Sequence, residues 1–359
     1  MTSSSPPSST SPPASRRAPG ERVPLSVLDL VPVSSGHDVA EALEDTMRLA
    51  RMADELGYRR FWLAEHHNSD TFASSATALL IERVASATNN VRVGSGGIML
   101  PNHAPLAVAE QFGTLATLHP GRIDLGLGRA PGTDPRTAHA LRRGASSIDS
   151  FPQDVRQLAA YLAPAGPGQG PVRAIPGQGT QVPLWLLGSS TASAELAGRL
   201  GLPFAFASHF APFQLNEALA VYRRTFDPSG PLASVTEPTV MVGVNVVVAD
   251  DQQRAEELFT TVQQMFLRLA TGAPAPLDPP MPDLRARLDA EQAAAVDAPL
   301  QVSFVGTPDV VRQGLDEFVD RTGADELLVV TYAHDPAQRR RSFELLADAW
   351  GLTGANSAA

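Results

Sequence analysis

The chain has 359 residues, 43% hydrophobic and 18% charged, the balance of a soluble globular protein with a large core. A formal net charge of −10 argues against sequence-independent nucleic-acid binding, and no window approaches the ~18 apolar residues of a membrane span, so neither nucleic acid nor membrane is an expected partner. The absence of cysteine excludes disulfides, thiolate metal sites and a cysteine nucleophile, without fixing the redox compartment.

Residues 1–22 form a Ser/Pro-rich tail of disordered composition. Arg16-Arg17 is followed by no apolar stretch, so it is not a twin-arginine export signal, and a cytoplasmic location is expected. One domain spans 23–351, and 352–359 is a short C-terminal tail. Leu25–Leu30 reads as the first strand. Asp38 and Glu41 have capping-box spacing, and Val39, Leu43, Met47 and Ala50 mark a helical face that runs to Gly57. Phe61–Ala64 is a fully apolar strand of the kind buried in parallel sheets, with Glu65-His66-His67 at its end. Ala76–Ala87 is the second helix.

A third strand rises through Val91 and Val93 into the small residues Gly94–Gly97. Leu106–Leu118 has helical spacing, and His119-Pro120-Gly121 breaks it. Arg122–Gly128 alternates strictly, which is strand period, and delivers Arg129 at its carboxyl end. Two strands joined by such a helix make a parallel βαβ unit. Beyond Asp134, Val155–Leu162 is a helix, and Ala163–Pro183 is a Gly/Pro/Gln-rich surface insertion. Leu184–Leu187 is strand five, Ala192–Leu200 its helix, Pro203–Ala207 strand six, Leu215–Phe226 a helix and Val240–Val248 strand seven. Glu256–Leu269 is helical. Ala270–Leu300 is a second insertion with a helical piece near Leu284–Ala295. Pro308–Thr322 is a helix, Glu326–Val330 strand eight and Pro336–Trp350 the last helix. Eight strands alternating with helices is the count of a (β/α)8 barrel, an α/β TIM-barrel fold with insertions at the carboxyl face of the strands, although a doubly wound sheet with insertions also fits.

The stretch Val93-Gly94-Ser95-Gly96-Gly97-Ile98-Met99-Leu100-Pro101-Asn102-His103, with Gly121-Arg122-Ile123-Asp124-Leu125-Gly126-Leu127-Gly128-Arg129-Ala130-Pro131-Gly132-Thr133-Asp134, resembles the bacterial luciferase-like flavin monooxygenases. The resemblance runs from about Pro24 to Trp350 and implies the barrel, a flavin cofactor and a small-molecule substrate that it does not name. It implies reduced FMN reacting with O2, a transient flavin reductase that supplies it, and a homodimer. The lack of a Gly-x-Gly-x-x-Gly fingerprint at a strand–helix junction fits a flavin that arrives already reduced. The alternatives are an F420-dependent oxidoreductase on the same barrel, a non-catalytic flavin-binding protein and a plain structural barrel.

The candidate site residues each carry two readings. His66-His67 as a metal site is set aside: consecutive side chains in extended backbone point opposite ways, and carboxylates at ligand spacing are missing. On one reading a histidine of the pair caps the strand end through hydrogen bonds; by resemblance His66 lies beside the flavin as the proton-handling, catalytic residue. The glycine pair Gly96-Gly97 reads as tight backbone geometry, and by resemblance as a flavin contact through a cis non-proline peptide. Arg129 reads as a solvated loop arginine, or as the bidentate partner of the flavin phosphate that the resemblance implies. Ser189, Ser190 and Ser193 open a helix, an ordinary cap or an anion site. Asp124 faces the barrel interior, where an unpaired carboxylate is costly, so a structural partner is expected. His209 borders the substrate cavity or hydrogen-bonds its loop.

Overall fold

The computed structural model describes residues 22–130, 132–141, 149–166 and 170–352; most of both expected tails, 1–21 and 353–359, lies outside them. The first half runs β1 (Leu25–Asp29), α1 (Val39–Leu56), β2 (Arg60–Leu63), α2 (Thr77–Ala87), β3 (Arg92–Met99), α3 (Pro105–Leu118), β4 (Ile123–Gly128), α4 (Pro135–Ala140), α5 (Phe151–Leu162), β5 (Leu184–Gly188) and α6 (Thr191–Leu200). The second half runs β6 (Phe204–Phe206), α7 (Leu215–Thr225), β7 (Val240–Val248), α8 (Gln252–Ala270), α9 (Leu284–Arg287), α10 (Ala290–Asp297), β8 (Ser303–Gly306), α11 (Pro308–Thr322), β9 (Glu326–Val330) and α12 (Pro336–Trp350).

Local chemistry sets these boundaries. Asp38 accepts from the Glu41 N–H at 2.9 Å and Glu41 returns the bond to the Asp38 N–H at 2.8 Å, closing the capping box that starts α1. Gly57, at φ 86°, ends that helix in the left-handed region. The strands are almost wholly buried, because helices cover their outer faces and side chains fill the interior.

Every strand pairing is parallel. The order β6-β5-β4-β3-β2-β1-β9-β7, with β6 also paired to β7, closes an eight-stranded barrel. The expected eighth strand, Glu326–Val330, closes it but is ninth in the chain. The extra strand β8, which the sequence reading passed over, pairs with Asn245–Val248 of β7. Odd-numbered groups of β7 and its flanks serve both partners: the Phe204 N–H reaches the Thr239 carbonyl, the Asn245 N–H reaches that of Val302, and the Ala249 N–H that of Gly306. β6 and β8 therefore share one edge of β7 in succession.

The barrel floor is an ion-pair layer. Arg60 bonds Asp124 and, at 2.9 Å, Glu326; Arg92 adds a second guanidinium to Asp124. Asp124 thus has the structural partner expected of it. Above this layer Leu28, Trp62, Trp185, Ala205, Met241 and Leu328 fill the interior, with Arg60 over the Trp185 ring at 5.1 Å.

Both insertions are docked on the barrel. The Leu277 N–H and carbonyl pair with Val33 and Ser35 beyond β1, and Leu277, Val296 and Leu300 are buried in the interior cluster. Ala174 is fully buried, and a Cβ on Gly177 would meet the Ala109 carbonyl of α3 at 2.4 Å, so the 163–183 segment lies tight against that helix.

Candidate active site

Because every strand points the same way, the residues just past the strand ends gather on one rim. In rim order, β2 ends in Glu65-His66-His67, β3 carries Gly96-Gly97, β4 ends at Arg129 and β5 at Ser189-Ser190. The expected site residues thus occupy an arc of four consecutive strands. Leu127 pairs with Leu186, so the strand ends that lead to Arg129 and to the serines are neighbours on the rim.

Glu65 anchors the first part of this arc. Its buried carboxylate accepts from His67 Nε2 at 2.8 Å, His103 Nε2 at 2.9 Å, Asn102 Nδ2 at 3.2 Å and the Met99 N–H at 3.0 Å. Burial alone would raise this carboxyl, but the hydrogen bonds from His103 and His67, the charge of His103 and the Met99 N–H outweigh it and hold the group at about 2. The loop after β4 joins the same knot: the His67 N–H reaches the Gly132 carbonyl at 3.2 Å, and Thr133 Oγ1 returns a bond to the His67 carbonyl at 3.0 Å. A carboxylate does come near the histidine pair, although Glu65, His67 and His103 were not grouped from the sequence. Both imidazoles aim Nε2 at a single oxygen, Oε1, which is the geometry of a hydrogen-bonded clamp.

His66 points away from that knot. Its ring lies 5.2 Å from that of Phe72, which lies 6.0 Å from that of Tyr332 just past β9. Burial, against the attraction of Glu65 and with the repulsion of His67, lowers its imidazole to about 4. His66 is therefore a neutral imidazole at physiological pH.

The Gly96–Gly97 peptide is cis, and the β3–β4 register shifts across it. A Cβ on Gly96 would meet Leu28 at 2.5 Å, and one on Gly97 the Gly126 carbonyl at 2.7 Å. The barrel wall itself accounts for both glycines. On β5, Ser190 caps α6 by accepting from the Ser193 N–H at 3.3 Å, and Ser193 Oγ donates to the Ser190 carbonyl at 2.8 Å. Gly188 makes room for this, since its Cβ would collide with Ser193 Oγ. Gln214 Oε1 accepts from the Thr191 N–H at 3.3 Å, so an oxygen already sits at the α6 N-terminus.

The opposite arc was only partly legible. His209, after β6, is 9% exposed; its Nδ1 has no hydrogen-bond partner among the described residues, and a Cβ on Gly243 would strike that atom. Burial, with some repulsion from His66, lowers His209 to about 4. Asn245 of β7 donates to the His209 carbonyl at 2.8 Å and leaves its own Oδ1 unpaired. A surface cleft of about 590 Å³ lies elsewhere, between α5 and the start of the first insertion, and no candidate site residue lines it.

A closed parallel barrel that collects its polar groups at the carboxyl ends of the strands has the architecture of the (β/α)8 enzymes. The chain belongs to the luciferase-like monooxygenase family, whose profile matches residues 23–326. An Escherichia coli K12 protein named luciferase-like monooxygenase is 48% identical over 327 residues, 91% of this chain and 96% of that one. The crystal structure of apo-MsnO8 is similar with a TM-score of 0.84 and 38% identity, over 93% of this chain and 100% of that chain. Two more distant structures share the fold. The oxygenating constituent of 3,6-diketocamphane monooxygenase from Pseudomonas putida, in complex with FMN, has a TM-score of 0.69 at 18% identity over 93% and 99% of the two chains. An F420-dependent secondary alcohol dehydrogenase with an F420–acetone adduct has 0.67 at 16% over 92% and 99%.

Proposed function

We propose that the protein is a flavin-dependent monooxygenase that uses reduced FMN and O2 on a small organic molecule, working in the cytoplasm as a homodimer with a separate reductase. The observation that carries this reading is the juxtaposition of Arg129 and the capped N-terminus of α6 on neighbouring strand ends, within the family's barrel. A guanidinium and a helix N-terminus together suit a terminal phosphate. The cradle fits such a group: Gly188 and Ser193 shape it, and the Gln214 oxygen on the Thr191 N–H shows that an acceptor reaches that amide.

Bound reduced FMN would supply the electrons that activate O2. Arg129, the Thr191 N–H and the hydroxyls of Ser189, Ser190 and Ser193 would hold its phosphate, and the Gly96-Gly97 peptide would lie along its ring. His66, neutral and with no hydrogen bond to its ring among the described residues, can accept or donate a hydrogen bond at a ring nitrogen and take up a proton there. The Glu65 clamp fixes the backbone on which His66 sits, while the Phe72 ring packs against the imidazole.

Anaerobic titration of the purified chain with reduced FMN and with reduced F420, followed by a substrate screen scored for incorporation of labelled oxygen, tests the proposal. Tighter binding of FMN and label in a product support it. Preference for F420, with substrate turnover but no oxygen incorporated, replaces it by the deazaflavin reading. Binding of neither cofactor removes both.

A further inference from the structure

The side chains that saturate Glu65 are also a set of metal donors. Among the described residues, Glu65, His67 and His103 bring one carboxylate oxygen and two ring nitrogens within 4.8 Å of one another. The end of β2 supplies two of them and the turn after β3 the third, so barrel closure assembles the group. His67 Nε2 stands 2.8 Å from Glu65 Oε1, and His103 Nε2 stands 2.9 Å from the same oxygen. Donors around a four-coordinate zinc, with bonds of about 2.0–2.1 Å, are roughly 3.3 Å apart. Each ring therefore has to retreat by only about 0.5 Å to admit an ion between the three atoms.

The surroundings prepare the group for a cation. Glu65 Oε2 accepts from the Met99 N–H at 3.0 Å, which orients the carboxylate and leaves Oε1 turned to the two rings. A ligating carboxylate held through its other oxygen is a common outer-shell arrangement in metal sites. The 132–133 loop fixes the His67 backbone on both sides, through the Gly132 carbonyl at 3.2 Å and Thr133 Oγ1 at 3.0 Å. The Glu65 side chain is 1% exposed, whereas those of His67 and His103 are 15% and 31% exposed, so an ion can enter from solvent past the rings. In the clamp each ring presents Nε2–H to the carboxylate. Moving that proton to Nδ1 frees Nε2 as a ligand without changing the charge of the ring.

We propose that Glu65, His67 and His103 form a binding site for one divalent transition ion of the zinc class, which replaces the hydrogen-bonded clamp and rivets the end of β2 to the turn after β3. Two imidazoles and one carboxylate suit Zn2+, Co2+ or Ni2+, whereas Mg2+ and Ca2+ want an all-oxygen shell. Water completes the coordination. His66 and His67 do diverge, as their adjacency requires, and the second imidazole comes from His103 instead. None of the three ligands is a residue expected to hold the flavin, so the site stands apart from the proposed reaction.

The test is calorimetric titration of the untagged full-length protein, stripped with EDTA and desalted, with Zn2+, Co2+ and Mg2+ and with no flavin present. Zn2+ should bind once per chain with a micromolar or lower Kd and raise the melting temperature, and Mg2+ should do neither. Co2+ should give the visible d–d bands of a protein-bound ion. His67→Gln and His103→Gln should each weaken Zn2+ by at least about 10- to 100-fold, the loss that even an outer-shell partner causes, and abolish the cobalt bands. His37→Gln alters a half-exposed ring 3.7 Å from Glu41, controls for binding at surface histidines, and should change nothing. No Zn2+ binding by the wild type, affinity unaltered in both ligand variants, or loss of binding in His37→Gln instead would overturn the proposal. The wild-type titration decides even if a ligand variant fails to fold. Since no readout involves flavin or O2, failure of the monooxygenase reading leaves this result untouched, and failure here leaves that reading in place.

Discussion

The two sides of the barrel mouth are built on opposite principles. On the β2–β4 side one carboxylate, Glu65, gathers donors from residues 67 to 103 while the next loop fastens to His67. On the β6–β9 side Ser208 and Thr331 are bonded to backbone carbonyls, but the buried His209 Nδ1 and Asn245 Oδ1 have no hydrogen-bond partner among the described residues. Saturated networks hold a shape, whereas unsatisfied polar atoms are a standing cost that folding tolerates when a ligand or a reaction makes use of them. The comparison teaches which side is frame and which is working surface, with His66 at the seam between them.

The strongest way to break that division is at the seam. His66→Ala should leave reduced-FMN affinity within a few-fold while oxygenation falls by ~10²–10⁴. His67→Ala, which removes one of several donors to Glu65, should do less to turnover. Stopped-flow comparison of the two variants checks this, and the reverse ranking would move the proton-handling role to His67.

Next in size is the frame itself. Glu65→Ala strips the acceptor from four donors and should cost on the order of 3 kcal/mol in urea unfolding. Because the carboxyl is held at about 2, against the push of burial, by His103, His67 and Met99, it is a true anion at neutral pH. Glu65→Gln keeps one acceptor oxygen but turns an NH2 on the remaining donors, so it should recover only part of the loss. Stability equal to wild type in the alanine variant would show the knot to be idle.

A smaller effect belongs to the phosphate corner. Arg129→Ala should weaken reduced FMN by about 10- to 100-fold, the worth of a charge-assisted bond, and weaken riboflavin, which has no phosphate, far less. Equal losses in anaerobic titrations of both would take Arg129 out of that role.

The smallest expected effect separates the two sides by pH. His66 and His209 are held at about 4, chiefly by burial, whereas an unfolded histidine titrates near ~6.5. Between those values the unfolded chain binds more protons, so stability drops as pH falls from about 6.5 toward 4. Glu65 has the depressed carboxyl of the frame, and its contribution is lost only lower, from about 4.5 down through 2. Thermal melts should fall by on the order of 5 °C across the upper window. His209→Gln should flatten that slope and leave the lower one in place; an unaltered upper slope would contradict the burial of His209.

Much of the frame was legible because its signals are local. The Asp38–Glu41 box, the alternation in Ile123–Gly128 and the apolar run Phe61–Leu63 each predict their element within a residue or two. β8 escaped because Ser303–Gly306 is short, and its pairing with β7 spans more than fifty residues. His103 and Glu65 are thirty-eight positions apart, so no spacing rule joins them. Tyr332 is a lone aromatic after an apolar strand, and only barrel closure brings it near Phe72. The glycine pair shows the opposite difficulty: a motif that suggests a ligand is already demanded by Leu28, Trp62 and Gly126.

The shared edge of β7 has an architectural consequence. Along β7, β6 pairs with Val240–Val242 and β8 takes over from Asn245 onward, so the strand ladder that closes the barrel is complete without a strand between Ser208 and Gln214. That segment carries His209 and the exposed Phe210 and Phe213. It is a cassette: a stretch fastened to β7 by Ser208 Oγ and the His209 carbonyl, while its two phenylalanines face solvent. Lineages built on this frame have a place to try new chemistry without first having to refold.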